Sequence, residues 1–406
     1  MRFQVQKLVS AIALIAASAS LAHAQSDRPG AEYEGSLDGF LSGERLDEIS
    51  ETIKCFEENY ASVFAGTSVT DDLELTLYTT PGGKRKYNKC DVGDATVEKA
   101  EYPLARLKAA QKRLERLRDA NPTVPFGFGI NQAGNVLDIE VEPGFLEQFN
   151  AIIGNTLRSM PFAEVSEGTS YKYEELAYID GAYPAGHCTL GFNAKKNTAS
   201  GDLTGNVTAA HCGRSIPLDY EESPAGPAGT PNRKYIFKSD APNSFALDAW
   251  ADIQFVVSDT DTFGPYMLYP DTTNKHWIQV ARTRSLEGLS QGTPMCKVGK
   301  QTQLTCGDFL GTFGLYAEGA DGSYKYRNMP IFDNQNTVIG IRGDSGSPVF
   351  LRTYAGPGVP EIWALGVLSA GSKMRTATSP RFDRLHFTPI SEFNRIGATV
   401  QTTKGP

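Results

Sequence analysis

Apolar positions recur at two different periods along the chain, and the pattern changes near residues 160–175. Before that point, Pro103 to Asn121 sets Leu104, Leu107, Leu114 and Leu117 at helical spacing, with a proline suited to the first turn and Asn121-Pro122 to end it. A second helix is predicted over Glu44–Tyr60. Leu73–Thr79 alternates as a strand, closed by the turn Pro81-Gly82-Gly83 with Lys84-Arg85-Lys86 beyond it. Phe126–Val141 alternates and turns as a β-hairpin. Gln25–Ser50 is acidic and polar and predicts little order. From Ser170 on, short strand-like pieces alternate with Gly, Pro, Asn and Asp turns, with few helical patterns before the C-terminus, which predicts an all-β barrel or sandwich.

Met1–Ala24 carries Arg2 and Lys7, an apolar run from Leu8 to Leu21, and Ala22-His23-Ala24 before Gln25. This reads as a cleavable secretory signal over residues 1–24. The run is too short and too rich in Ala and Ser to span a membrane, and no later stretch approaches ~20 consecutive apolar residues. The chain is therefore expected to be secreted, with its six cysteines in a disulfide-permissive setting. No C-x-x-C or H-x-x-x-H pair occurs, so no metal is expected. Charge is divided unevenly. Gln25–Thr169 holds 15 Lys+Arg against 25 Asp+Glu, net −10, whereas Ser170–Pro406 holds 22 of each, net 0. The second part thus has no net field to attract a polyanion, and nucleic-acid binding gains no support. Arg106, Lys108, Lys112, Arg113, Arg116 and Arg118 read as the solvated face of the Pro103–Asn121 helix.

Candidate chemistry centres on Gly343-Asp344-Ser345-Gly346-Ser347-Pro348. A serine between glycines suits a nucleophile on a tight turn, where the amides of Gly343 and Ser345 can face one developing oxyanion. Its hydroxyl needs a base, and that base needs an orienting group. Beyond the leader the candidate bases are His187, His211, His276 and His386. His211 lies in Thr208-Ala209-Ala210-His211-Cys212, where the cysteine can pin its backbone. Asp252 opens the strand-like run Asp252-Ile253-Gln254-Phe255-Val256-Val257, while Asp248, four residues earlier, is the other orienting acid on offer.

The order His211, Asp252, Ser345 with these local sequences resembles the chymotrypsin-like serine proteases, specifically the secreted microbial type made with a pro-region, such as α-lytic protease and the streptogrisins. Supporting matches are Met295-Cys296-Lys297-Val298-Gly299, Leu304-Thr305-Cys306-Gly307, Leu365–Gly371 and Phe387-Thr388-Pro389-Ile390; the likeness spans residues 176–400. Ser347 stands where the family more commonly has glycine. The helix and hairpin before residue 142 resemble, more loosely, that type's pro-region.

The resemblance implies an all-β catalytic domain of two six-stranded antiparallel β-barrels over 170–406, with the catalytic cleft between them, preceded by an α+β pro-region over 25–169 whose boundary lies within 160–175. It implies disulfides Cys188–Cys212 and Cys296–Cys306, which leaves Cys55 with Cys90. Ser369, Ala370 and Gly371 would form the edge that pairs with an extended peptide or protein substrate, with the Ser369 hydroxyl reaching the orienting acid. Val338–Arg342 offers no acid where a trypsin-like pocket would need one, and Leu368 stands where glutamate-selective relatives carry a histidine, which points to a small or medium apolar side chain before the cut bond; Arg342 at the pocket mouth would instead favour an acidic one. Lys297 would pair with a buried Asp344. The implied function is a secreted, cofactor-free serine endopeptidase, a monomer that binds its own pro-region. An esterase using the same triad and a catalytically inactive binding or adhesion protein of this fold are the alternatives. Asn206-Val207-Thr208 matches a glycosylation triplet but is expected to be buried.

Overall fold

The computed structural model describes residues 40–81, 87–175, 188–199, 201–212, 215–219, 234–238, 245–257, 264–270, 275–318, 323–334, 337–354, 359–374 and 381–404. The leader, the Gly82-Gly83 turn and the Lys84-Arg85-Lys86 cluster lie outside the described residues.

Order begins earlier than the polar composition of Gln25–Ser50 predicts: the described structure starts at Phe40, and Glu44, Asp47 and Glu48 belong to a helix. Strand β1 (Leu41–Ser42) leads into helix α1 (Gly43–Asn59). The Ser42 side chain accepts from the Arg45 N–H as N-cap; Leu46, Ile49, Ile53 and Phe56 bury one stripe, and Glu44, Glu48 and Glu51 face out. Strands β2 (Phe64–Val69), β3 (Leu75–Thr79) and β4 (Thr96–Lys99) form a three-stranded sheet, and the Cys55–Cys90 disulfide ties α1 to the segment before β4.

Helix α2 (Leu104–Ala120) starts after Pro103 and buries Leu104, Leu107, Ala110 and Leu114. One member of its basic face behaves differently from expectation. Arg118 is only 1% exposed, lies between the rings of Phe128 and Tyr326 at 5.1 and 4.8 Å, and donates to Asn328 Oδ1 at 3.2 Å. It turns inward because those rings offer a stacked cation a dry seat. The hairpin forms as β5 (Phe126–Asn131) and β6 (Val136–Val141). Two unpredicted elements follow, α3 (Leu146–Leu157) and β7 (Ala163–Glu167), the latter parallel to β6.

The remaining strands are β8 (Tyr173–Glu175), β9 (Asn193–Thr198), β10 (Gly201–Thr208), β11 (Ser215–Asp219), β12 (Lys234–Lys238), β13 (Phe245–Leu247), β14 (Asp252–Val257), β15 (Tyr266–Pro270) and β16 (Lys275–Thr283). They continue as β17 (Pro294–Gly299), β18 (Gln303–Glu318), β19 (Tyr324–Asp333), β20 (Gly340–Ile341), β21 (Pro348–Tyr354), β22 (Pro360–Met374), β23 (Arg381–Pro389) and β24 (Ala398–Val400). The second part is mostly β, as predicted. Its described strands pair as a seven-stranded sheet (β9–β14 with β24) and a fourteen-stranded sheet, a coarser arrangement than two separate six-stranded barrels. The larger sheet grows because the N-terminal part adds to it. β1 runs parallel to β21, β5 pairs with β18 through Gly129 and Gly314, and β6 and β7 continue outward from β5. One core cluster accordingly contains Phe128, Leu137 and Phe149 from one part and Phe309, Phe332 and Leu365 from the other.

Candidate active site

β10 ends at Thr208 and passes into a 3₁₀ turn, Ala210–Cys212, that carries His211. The Cys188–Cys212 disulfide anchors this turn from behind. β14 pairs antiparallel with β10, Thr208 opposite Gln254, which brings Asp252 at the start of β14 beneath the turn. The His211 N–H donates to Asp252 Oδ1 at 3.0 Å, and His211 Nδ1 lies 2.5 Å from Asp252 Oδ2. On the other side of the ring, Nε2 is 2.8 Å from Ser345 Oγ. The structure thus brings His211, Asp252 and Ser345 into one hydrogen-bonded row. Asp248 is not part of it: it accepts from the N–H groups of Trp250 and Ala251 and pairs with Arg395. His386 is buried on β23 against Ser372, its Nε2 2.9 Å from the hydroxyl; His187 and the His276 side chain lie outside the described residues.

Asp252 is fully buried, and its own N–H donates to Thr388 Oγ1. Burial opposes its charge, but His211, Arg327 and the Ser369 hydroxyl outweigh burial and hold the carboxyl well below the usual carboxylate range. Ser369 Oγ donates to Asp252 Oδ2, and Arg327 Nη1 donates to the same oxygen at 3.1 Å and to Ser369 Oγ at 2.8 Å.

Ser345 stands on a turn whose two glycines have φ of +102° at Gly343 and +86° at Gly346, a region costly for other residues. A Cβ on Gly346 would also collide with the Thr189 carbonyl and the Thr208 hydroxyl. Thr189 braces the turn, its N–H donating to Ser345 O at 2.7 Å and its hydroxyl to Gly343 O at 3.0 Å. Among the described residues the N–H groups of Gly343 and Ser345 donate to no protein acceptor. Ser347, fully buried, donates its hydroxyl to the Asp344 carbonyl.

Asp344 and Lys297 are both fully buried, with Lys297 Nζ 3.1 Å from Asp344 Oδ2. Thr302 Oγ1 donates to that same oxygen at 2.6 Å, and the N–H groups of Gln301 and Thr302 reach Oδ1. Lys297 is carried by β17, which the Cys296–Cys306 disulfide joins to β18. Leu368 is buried beside the serine turn, its N–H donating to Ser347 O and its carbonyl accepting from Gly346 N–H; Arg342 directly precedes Gly343 and is half-buried. Asn206 is buried and donates to Asn193 Oδ1.

The edge formed by Ala370 and Gly371 is already filled by the chain itself. β8 pairs antiparallel with it, Glu175 opposite Ala370, Glu174 opposite Gly371 and Tyr173 opposite Ser372. Neither β8 nor Arg327 stood out in the sequence, because each meets the site only through contacts far away along the chain. Cys188, His211 and Cys212 lie close together, but both sulfurs are spent on the disulfide, which leaves no thiolate for a metal.

Neither a family profile nor a curated protein matches the sequence. Among solved structures the chain is similar to a Nocardiopsis protease, with 20% identity, 54% of this chain and 95% of that one covered, and a TM-score of 0.35. It is similar to a Cellulomonas bogoriensis chymotrypsin (19% identity, 58% and 98% covered, TM-score 0.33) and to a glutamic-acid-specific serine protease (23%, 54% and 96%, TM-score 0.33).

Proposed function

We propose that this chain is a secreted serine endopeptidase made as a precursor, with a signal at 1–24, a pro-region over 25–169 and a catalytic domain over 170–406. The observation that carries this reading is the row Asp252–His211–Ser345, with 2.5 Å between the first pair and 2.8 Å between the second. With Nδ1–H donated to Asp252, Nε2 is left to accept the Ser345 proton as Oγ attacks a peptide carbonyl. The Gly343 and Ser345 N–H groups take the oxyanion. His211 then returns the proton to the leaving amine, and a water repeats the sequence on the acyl-enzyme to release the acid and restore Ser345. No metal or cofactor is required at any step. Lys297 neutralises Asp344 and so keeps the oxyanion turn in shape.

The substrate is an extended peptide lying along Ser369, Ala370 and Gly371. β8 on that edge supports the precursor reading, since a chain whose own segment fills its substrate edge is held inactive until that segment leaves. It also favours a boundary at the far end of the 160–175 window.

The test is to treat the protein with a phosphonofluoridate serine reagent and to assay casein and ester hydrolysis, with Ser345→Ala as control. Labelling and proteolysis, both abolished in Ser345→Ala, are expected, the loss exceeding ~10³-fold. Labelling with ester hydrolysis alone would make it an esterase, and no labelling at all, even after the segment through β8 has been cut away, a binding protein of this fold.

A further inference from the structure

Arg327 sits where the acid, the substrate edge and the chain's own β8 meet. It lies on β19, is 5% exposed, and gives its Nη1 protons to Asp252 Oδ2 and Ser369 Oγ. Its guanidinium lies over the ring of Tyr173, 5.1 Å from the centroid. Tyr173 is itself 2% exposed and belongs to a cluster with Leu315, Met329, Ile331 and Ala370. Asp252 does not need this cation to satisfy its oxygens: the His211 N–H supplies Oδ1, and His211 Nδ1 and the Ser369 hydroxyl supply Oδ2. What the cation adds is competition with a protonated His211 for the same negative charge.

We propose that Arg327 is a positioning residue that couples an aromatic side chain on the substrate edge to the basicity of His211; this rests on the triad reading above. Toward Asp252, the guanidinium offsets part of the carboxylate's field, so His211 holds a proton less tightly than it would beside the carboxylate alone. Toward the edge, a ring at the Tyr173 position fixes the guanidinium by cation–π attraction, which an aliphatic side chain there does not supply. The register tells which substrate residue carries that ring. Glu175 lies opposite Ala370, so the next residue of a peptide on this edge would face Ser369, whose carbonyl oxygen is 3.5 Å from Ser345 Oγ. The ring is then on the fourth residue before the cut bond. Among the described residues, His386 on β23 lies in the field of both Arg384 and Arg327.

Two measurements on the full chain, carrying Ser345→Ala to prevent self-digestion, test the coupling. Titrating the His211 imidazole by NMR, Arg327→Met is expected to raise its pKa by roughly 0.5–1.5 units, with Arg327→Lys restoring most of the shift. In amide hydrogen exchange, Tyr173→Leu is expected to open Ala370–Ser372 about 3- to 30-fold more than Tyr173→Phe, and that difference is expected to vanish in the Arg327→Met background. Should Arg327→Met not fold, Arg327→Gln, which lacks the charge but keeps a donor, carries the same expectations. An unmoved His211 pKa, or a Phe–Leu difference that is the same with and without Arg327, overturns the proposal. Serine labelling of the wild-type protein after the segment through β8 has been cut away is a separate readout: its absence would remove the protease reading, while the two measurements would still decide the role of Arg327.

Discussion

Lys297 and Asp344 show what one buried charge demands of its neighbours. Burial pushes the Lys297 ammonium below its ordinary pKa while Asp344 pulls it back up, and removing one partner of such a pair typically costs ~3–5 kcal/mol. Lys297→Met is therefore expected to melt at a clearly lower temperature and to lose most of its activity; wild-type turnover and melting would mean that the backbone and Thr302 donors alone carry Asp344. His386 gives a pH prediction. Burial, with Arg384 and Arg327 nearby, pushes its pKa well below the ordinary value, so it stays neutral in the folded chain. Below about pH 6.5 the unfolded chain takes up a proton that the folded chain refuses, so this residue's contribution is complete above that pH and declines as pH falls, by ~1.4 kcal/mol per unit. Unfolding midpoints between pH 5 and 7.5 are expected to fall less steeply in His386→Gln than in wild type. His211, Asp252 and Ser345 were legible in the sequence because each sits in a short local pattern. Arg118 was misread and Arg327 unseen for the opposite reason: a helical position says that a cation is on a face, not that Phe128 and Tyr326 wait for it, and Arg327 meets Asp252 from 75 residues away.

Among the elements, α1, α2 and the β5–β6 hairpin could be read in advance because hydrophobic period and turn residues agree there. α3 could not, since only Phe149 and Ile153 of its twelve residues are fully buried, too few to make a stripe. The junction of β5 with β18 was equally hidden, yet it leaves a mark in the residues it requires. Gly129 faces Phe313 so closely that a Cβ would fall inside the ring. Gly129→Val is expected to destabilise the chain by ~1–3 kcal/mol and to raise hydrogen exchange at Phe128–Ile130 and Phe313–Gly314. Gly154→Ala, on α3 with no close neighbour beyond its own helix, is the contrasting control and is expected to be neutral or to stabilise by up to ~1 kcal/mol. Equal melting temperatures for the two variants would mean that β5 is not held tightly against β18.

At the scale of the molecule, the change in pattern near residues 160–175 marks a change of composition and charge but not a break in the core, which the two parts share. A mostly β second part with long-range pairings is expected to fold slowly on its own, and the N-terminal part covers apolar residues that it would otherwise expose. Refolding of Ser170–Pro406 is expected to give several-fold more soluble, natively folded protein when Gln25–Thr169 is supplied in trans; equal yields would make the N-terminal part a passenger. The position of β8 reaches further still. While the chain is continuous, β8 meets its edge at an effective concentration on the order of millimolar, as short tethers give, and dissolved peptides compete poorly. A cut beyond β8 leaves it fastened to the β5–β7 strands, so the same contacts become an equilibrium between two molecules. On the precursor reading, occupancy of the edge would then follow mass action: nearly complete where the protein is crowded, and falling as it spreads into a larger volume, so that dilution itself would set when the edge is freed.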